Sequence, residues 1–404
     1  DLVGEGAVTM AITRRNFVQT VGIGAGAALT SSVWGRGREN SVWSAFDANL
    51  EAVEKGMICI GSNENPVGPG KKVLDGLRAL LEGGAKPGRY SNQVGELTES
   101  IAAHFKVKTE NVLVSEGSTE ILRAATQVFT SKTKPLVGTI PTYEECAGYA
   151  ELIGNPVRGV KLSSEFKIDL DPMMQASKGA GLVFYCNPNN PTATYVGAKA
   201  TRDFLAKLTA ASPDTTILVD EAYFDYVTDP DHATHVPVAI EQKNVIVART
   251  FSKAYGMAGL RQGYAIAHAD TIKKMRPWVG SSGTGSLNVF GMAAATASIQ
   301  QDADGAFSKN ERMRNKAVRD MVSKWFTDRG MKPTDAQANF MFVNIGTPAR
   351  AFRDACRAKG VIVARDFPPF EKTHARISLG TMEEMTKAVQ VFGEVLAKKS
   401  TAAA

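Results

Sequence analysis

Thr216-Ile217-Leu218-Val219-Asp220-Glu221-Ala222-Tyr223 is the stretch from which the fold can be read. A short run of aliphatic and β-branched side chains suits a strand covered on both faces, where every position meets a packing layer. The run stops at two carboxylates, so the strand delivers charge to one edge of a sheet. An aspartate at a buried strand end is costly unless it is paired, and a cationic ring nitrogen would pair it.

Runs of the same kind lie on either side: Asn111 to Ser115, Leu136 to Ile140, Gly181 to Cys186, Asn244 to Ala248 and Gly263 to Ala267. Helix-period segments separate them, with Leu97, Ile101 and Phe105 on one face of the first and Phe204, Leu205 and Leu208 on a later one. Alternation of this kind specifies an α/β domain with a mostly parallel sheet, expected over residues 85–295. Beyond it the order changes to a long charged helix, Ser308 to Asp328, strands at Phe340 to Asn344 and Arg376 to Leu379, and a last helix. That helix opens on Thr381-Met382-Glu383-Glu384, a capping-box spacing. A smaller α+β domain is expected over 296–404, joined by an arm at 40–84. A chain of 404 residues exceeds what one hydrophobic core organises, which agrees with two units.

Three further segments fall just after expected strands, where ligands of open α/β sheets bind. At Ser115-Glu116-Gly117-Ser118-Thr119-Glu120 a strand breaks at glycine and a helix begins, leaving free amide donors and a positive dipole end suited to a phosphate. Taken alone, such a turn is most often an ordinary helix cap. Asn187-Pro188-Asn189-Asn190-Pro191-Thr192 reads by itself as an exposed turn. Arg249-Thr250-Phe251-Ser252-Lys253 leads on to Arg261, and an isolated lysine there would more often be a solvated one. In the order phosphate cradle, Asn-Pro turn, Asp-x-x-Tyr, Ser-Lys and Arg, chance becomes a poor explanation.

The bulk numbers remove other classes. Lys and Arg total 47 against 41 Asp and Glu, a net charge of +6 spread over mixed-sign helices, with no dense basic run that would track nucleic acid. Four separated cysteines form neither a CxxC metal pattern nor a disulfide scaffold. Near the start, Thr13-Arg14-Arg15-Asn16-Phe17-Val18-Gln19 precedes a Gly/Ala-rich stretch reaching about Trp34. Residues 1–39 thus look like a twin-arginine export leader, which gives a periplasmic expectation, or a cytoplasmic one if the leader is not functional. The stretch is shorter and richer in glycine than the ~20 apolar residues that span a bilayer, so no stable membrane insertion is expected.

From Met57 to about Leu396 the sequence resembles the fold type I pyridoxal-phosphate (PLP) enzymes, and among them the histidinol-phosphate aminotransferase group. The strings that carry the resemblance include Ser62-Asn63-Glu64-Asn65-Pro66, Arg89-Tyr90, Pro141-Thr142-Tyr143, Asn190-Pro191-Thr192, Asp220 to Tyr223, Thr250 to Lys253, Ala338-Asn339-Phe340 and Arg376 to Thr381. The resemblance implies that Lys253 holds the cofactor as an imine and later moves the proton, that Asp220 bonds the pyridine nitrogen, and that Tyr223 and Asn190 bond the phenolic oxygen. Tyr143 would stack on the ring. Ser118, Thr119, Thr250, Ser252 and Arg261 would hold the phosphate, and Tyr90 would reach it from a neighbouring subunit, which implies a homodimer with shared sites. Arg376 would grip the substrate carboxylate, with Asn190 beside it.

Departures from the group cluster at the side-chain pocket: Val67, Ala193, the small-residue run Gly280 to Ser286, and the apolar Asp366-Phe367-Pro368-Pro369-Phe370. Arg365 is the candidate side-chain selector, for an acidic substrate or by stacking on an aromatic one; the plainer alternative is a surface arginine. The expected activity is ping-pong transfer of an amino group between an amino acid and a 2-oxo acid. A PLP decarboxylase or carbon-sulfur lyase shares the same anchors. A PLP-binding regulator would need a DNA-binding module, and no helix-turn-helix pattern precedes residue 57.

Overall fold

The computed structural model describes residues 56–83, 93–282 and 287–397, all within the compact unit Gly37–Ala404. The leader segment, Arg89-Tyr90 and Gly283 to Ser286 lie outside the described residues. A seven-stranded sheet forms the centre, in the order β2-β8-β7-β6-β5-β3-β4. Its members are β2 (Val112–Ser115), β3 (Leu136–Ile140), β4 (Val157–Lys161), β5 (Leu182–Cys186), β6 (Thr216–Asp220), β7 (Val245–Thr250) and β8 (Gly263–Ala267). Neighbours from β4 through β7 pair in parallel, whereas β8 runs antiparallel to both β7 and β2. The α/β class with a mostly parallel sheet is therefore the observed one.

The single reversal has a purpose. With the other six strands aligned, Ser115, Ile140, Cys186, Asp220 and Thr250 all finish at one edge of the sheet, and β8 starts there. The segment joining β7 to β8, which holds both Lys253 and Arg261, thus opens on the same edge as Asp220. Burial of β5, β6 and β7 is complete along their lengths, as the unbroken apolar runs require. Leu97 and Ile101 from one helix and Phe204, Leu205 and Leu208 from another join this core as expected from their spacing.

A second cluster collects around β9 (Phe340–Asn344), which pairs antiparallel with β11 (His374–Ser378), and around β1 (Ile58–Ile60), which pairs parallel with β10 (Val361–Val363). Val318, Val322 and Phe326 of the helix Ala306–Thr327 pack on it, with Met385, Ala388 and Phe392 of the last helix, Met382–Ala397. The capping box at the start of that last helix is present: the Thr381 amide donates to Glu384 at 2.7 Å and the Glu384 amide to the Thr381 hydroxyl at 3.1 Å.

Several boundaries differ from the sequence expectation. Asn111 belongs to a 3-10 turn, not to β2, because its side chain turns back to donate to the Ala267 carbonyl at 2.9 Å. β11 starts at His374 and stops at Ser378, since Leu379 bonds back to Asn339. The segment 40–84 does not act as one piece: Ile58–Ile60 joins the second cluster, while Val73 of the helix Lys71–Glu82 is buried in the main core. The helix Val289–Gln301 runs through residue 295 without a break and also packs on the main core.

Candidate active site

At the sheet edge, Gly117 (φ 72°) stands before the helix Ser118–Phe129, whose first turn has no side-chain cap. A Cβ on Gly117 would come within 2.5 Å of Arg261 Nη2, so only glycine lets the guanidinium approach this helix end. Arg261 itself adopts the left-handed conformation (φ 52°), and its Nη1 donates to the Ala258 carbonyl at 2.9 Å and to Ser252 Oγ at 3.4 Å. The Thr250 hydroxyl accepts from the Ser252 amide at 3.1 Å, and Thr119 reaches the Tyr143 phenol. Ser118, Thr119, Thr250, Ser252 and Arg261 therefore surround one helix N-terminus, an arrangement that can hold a phosphate dianion.

Asp220 is 3% exposed. Its Oδ1 accepts from the Ala222 amide at 3.1 Å, and Cys186 Sγ lies 4.0 Å from Oδ2; among the described residues it has no ion-pair partner. Burial pushes its carboxyl from 3.8 up to about 7, against the Ala222 bond and the field of Lys253. Lys253 donates to the Ser62 carbonyl at 3.1 Å, and its Nζ lies 5.8 Å from the centre of the Tyr223 ring. Burial, with Arg376 and Arg261 nearby, lowers it to about 8. A desolvated amine and a desolvated carboxylate thus lie within electrostatic reach of each other at one edge of the sheet, each displaced toward neutrality.

Tyr223 accepts a hydrogen bond at its hydroxyl from Asn63 Nδ2 at 3.1 Å, and burial raises its pKa. Arg376, on β11, donates from Nη1 to Asn190 Oδ1 at 2.8 Å and from Nη2 to the Gly61 carbonyl, while its buried Nε has no partner among the described residues. Burial lowers its pKa to about 10. Arg365 is ion-paired with Glu144 and lies 4.5 Å from the centre of the Phe367 ring, so its positive charge is already met. The structure brings together every sequence-expected site residue except Tyr90, which lies outside the described residues.

Three groups escaped the sequence analysis. Asn63 (φ 54°) bonds Tyr223, and its Oδ1 accepts from Ser378 Oγ at 2.6 Å, which ties β11 and the turn after β6 to the chain near β1. Glu221, the neighbour of Asp220, turns to the opposite face of the strand. There it accepts from Arg249 Nη2 at 2.9 Å, His235 Nδ1 at 3.1 Å and Thr234 at 2.8 Å. Burial opposes the Glu221 charge, but Arg249 and His235 more than offset it and hold the carboxyl at about 2. Glu144 is the third. For Asn63 the local signal is its left-handed backbone, a signal of geometry and not of sequence; for Glu221 it is the alternation that turns the residue after Asp220 to the other face.

The family model described as aminotransferase class I and II matches residues 55–392. The chain belongs to that family. It is a PLP-dependent aminotransferase, and its fold is the one such enzymes share. A histidinol-phosphate aminotransferase of Moorella thermoacetica is 33% identical over 355 residues, covering 85% of this chain and 86% of the relative. That of Bacillus subtilis is 31% identical over 346 residues, covering 84% and 92%. A solved histidinol-phosphate aminotransferase of Sinorhizobium meliloti, in complex with pyridoxal-5'-phosphate, superposes with a TM-score of 0.78 at 24% identity, covering 92% of this chain and 99% of that one, a likeness of fold. Among the described residues of this aminotransferase no cluster suits a metal ion, and no helix is long and apolar enough to cross a membrane.

Proposed function

We propose that this aminotransferase moves an amino group between an L-amino acid with an aromatic or acidic side chain and a 2-oxo acid, in two half-reactions at the Lys253–Asp220 site. The observation that carries the assignment of residues is the unpaired, 3% exposed Asp220 facing the same edge as a capless helix end and a desolvated lysine. Such a carboxylate fits a cationic ring nitrogen, and the helix end with Arg261 fits a phosphate. When bound, PLP supplies an electron-accepting ring beside the reacting amino group.

The chain's own groups do the rest. Asp220 would keep the ring nitrogen charged, Tyr223 and Asn190 would bond the phenolic oxygen, and Tyr143 would stack against the ring. Ser118, Thr119, Thr250, Ser252 and Arg261 would anchor the phosphate, and Tyr90 of a second copy would complete that anchor in a homodimer. Arg376, buried at this edge and oriented through its Nη1 by Asn190, takes the substrate carboxylate as a fork. Lys253, lowered to about 8, holds a useful fraction of free amine at neutral pH and moves the proton at the substrate α-carbon. The names of the relatives make histidinol phosphate the second reading for the donor.

The test adds single donors to the cofactor-loaded enzyme without any oxo acid. An aromatic or acidic amino acid should change the cofactor spectrum once, stoichiometrically, and a 2-oxo acid should restore it. Release of carbon dioxide from these donors, or of sulfide from L-cysteine offered in their place, would instead make the enzyme a decarboxylase or a lyase. A spectral change with histidinol phosphate and with no amino acid would replace the first donor class by the second.

A further inference from the structure

Two guanidinium groups flank the Phe367 ring: Arg365 lies 4.5 Å from its centre and Arg376 4.7 Å. They differ in what they hold. Arg376 is the fork proposed for the α-carboxylate, whereas Arg365 is bound to Glu144 and donates from Nη1 to the Asp366 carbonyl at 3.0 Å. The pair is largely withdrawn from solvent, with side chains 19% and 34% exposed for Arg365 and Glu144. Both charges are felt at Arg376, which places the pair within electrostatic reach of the carboxylate fork. The rest of the neighbourhood is aromatic. Phe166, Phe342, Phe367 and Phe370 cluster there, and the His374 ring stacks on Phe342 at 5.0 Å, with burial favouring its neutral form.

We propose that Glu144 is a specificity-determining residue, an internal carboxylate that occupies Arg365 and turns the site toward donors with an uncharged aromatic side chain. This rests on the reading of Arg376 as the carboxylate fork. An anionic side chain could use Arg365 only by displacing Glu144, which would leave a carboxylate unpaired, partly desolvated and next to the incoming negative charge. An aromatic side chain leaves the ion pair intact and packs against Phe367 and its neighbours. Tyr143 and Glu144 are adjacent in the chain, so the residue that selects the side chain is carried on the same turn as the one proposed to cover the cofactor ring. Sequence alone offered Arg365 as a candidate selector, with a surface arginine as the alternative; the contact with Glu144 points to the residue that decides whether Arg365 is available.

Calorimetry on the cofactor-loaded enzyme tests this with two non-reacting acids, glutarate and 3-phenylpropionate. The native enzyme should bind 3-phenylpropionate the more tightly. Glu144→Gln should move the ratio of the two dissociation constants about tenfold or more toward glutarate, the scale of one charge-assisted contact regained. Adding Arg365→Ala to that variant should cancel the gain, because the released guanidinium is what glutarate uses. The ratio of kcat/KM for L-glutamate over L-phenylalanine should rise in Glu144→Gln as well. A native preference for glutarate, or a ratio in Glu144→Gln within threefold of native, overturns the proposal. Arg376→Lys separates the premise from the conclusion. Weakened binding of both acids there upholds the fork; binding as in the native enzyme removes the fork and the proposal with it, whereas an unchanged ratio in Glu144→Gln removes the selector alone.

Discussion

Replacing Asp220 with asparagine should make the cofactor-free protein more stable while it destroys activity, and the gain should depend on pH in a defined direction. The folded-state carboxyl sits at about 7, raised by burial from 3.8. A raised carboxyl binds its proton more tightly in the folded state, so the stability linked to it is fully present below about pH 4 and is lost as pH rises through about 7. At about 1.4 kcal/mol per pH unit, the loss is about 1–2 kcal/mol at about pH 5 and about 4 kcal/mol at about pH 8. Asparagine escapes it. The amide is nearly isosteric, and its oxygen can still accept from the Ala222 amide, so the packing of β6 is kept. Urea unfolding of both cofactor-free proteins at the two pH values measures the difference. The reasoning fails if the variant is no more stable than native at about pH 8, or if its advantage is the same at both.

Other consequences follow from the same site. Lys253→Ala should retain PLP through the helix end and Arg261 but lose at least ~10²–10⁴-fold in turnover, the worth of a placed proton carrier; turnover within tenfold of native would take Lys253 out of the reaction. Mixing Lys253→Ala with Tyr90→Phe should yield activity above either parent, because one site of each heterodimer keeps both native side chains. A monodisperse active monomer in solution would refute that. Exchanging Arg14 and Arg15 for lysine should strand active enzyme in the cytoplasm while the native chain reaches the periplasm with its cofactor, since cofactor binding favours the folded state before export. Cell fractionation with an activity assay decides it, and native enzyme found wholly in the cytoplasm would end the export proposal.

What the sequence disclosed follows from how burial writes itself into residue order. Strands covered on both faces leave unbroken apolar runs, and Leu136–Ile140, Gly263–Ala267 and Phe340–Asn344 have the bounds their runs suggest. Val157–Lys161 left no such run because it is the edge strand, where Arg158, Gly159 and Lys161 are exposed and Val160 alone is buried. Ile58–Ile60 and Val361–Val363 are three residues long, too short for any period to show. Side chains presented at strand ends were legible because strand and chemistry are adjacent in the chain. Asn63 with Tyr223, and Glu144 with Arg365, are separated by 160 and 221 positions, and pairings across such distances leave no local pattern. Glu221 could have been placed by alternation, since the residue after Asp220 must face the other way. That its partners would be Arg249 and His235 could not.

The reversed strand bears on the order in which the site can assemble. Parallel neighbours such as β5 and β6 meet only after a helical crossover has been threaded, but β7 and β8 close directly, Thr250 opposite Gly263. The segment between them is bonded to itself at Phe251 to Gln262, Gly256 to Lys253 and Met257 to Phe251, and Phe251 packs on Tyr255 and Tyr264. Closing a loop of that size costs little chain entropy compared with bringing distant segments together. The lysine and the arginine therefore share one hairpin that fixes their separation and closes at low entropic cost, while the aspartate sits on a strand whose register is set by parallel neighbours. Insertions within 251–262 would disturb both cationic groups at once, whereas changes in the crossover before β6 would shift the aspartate together with the Tyr223 that follows it.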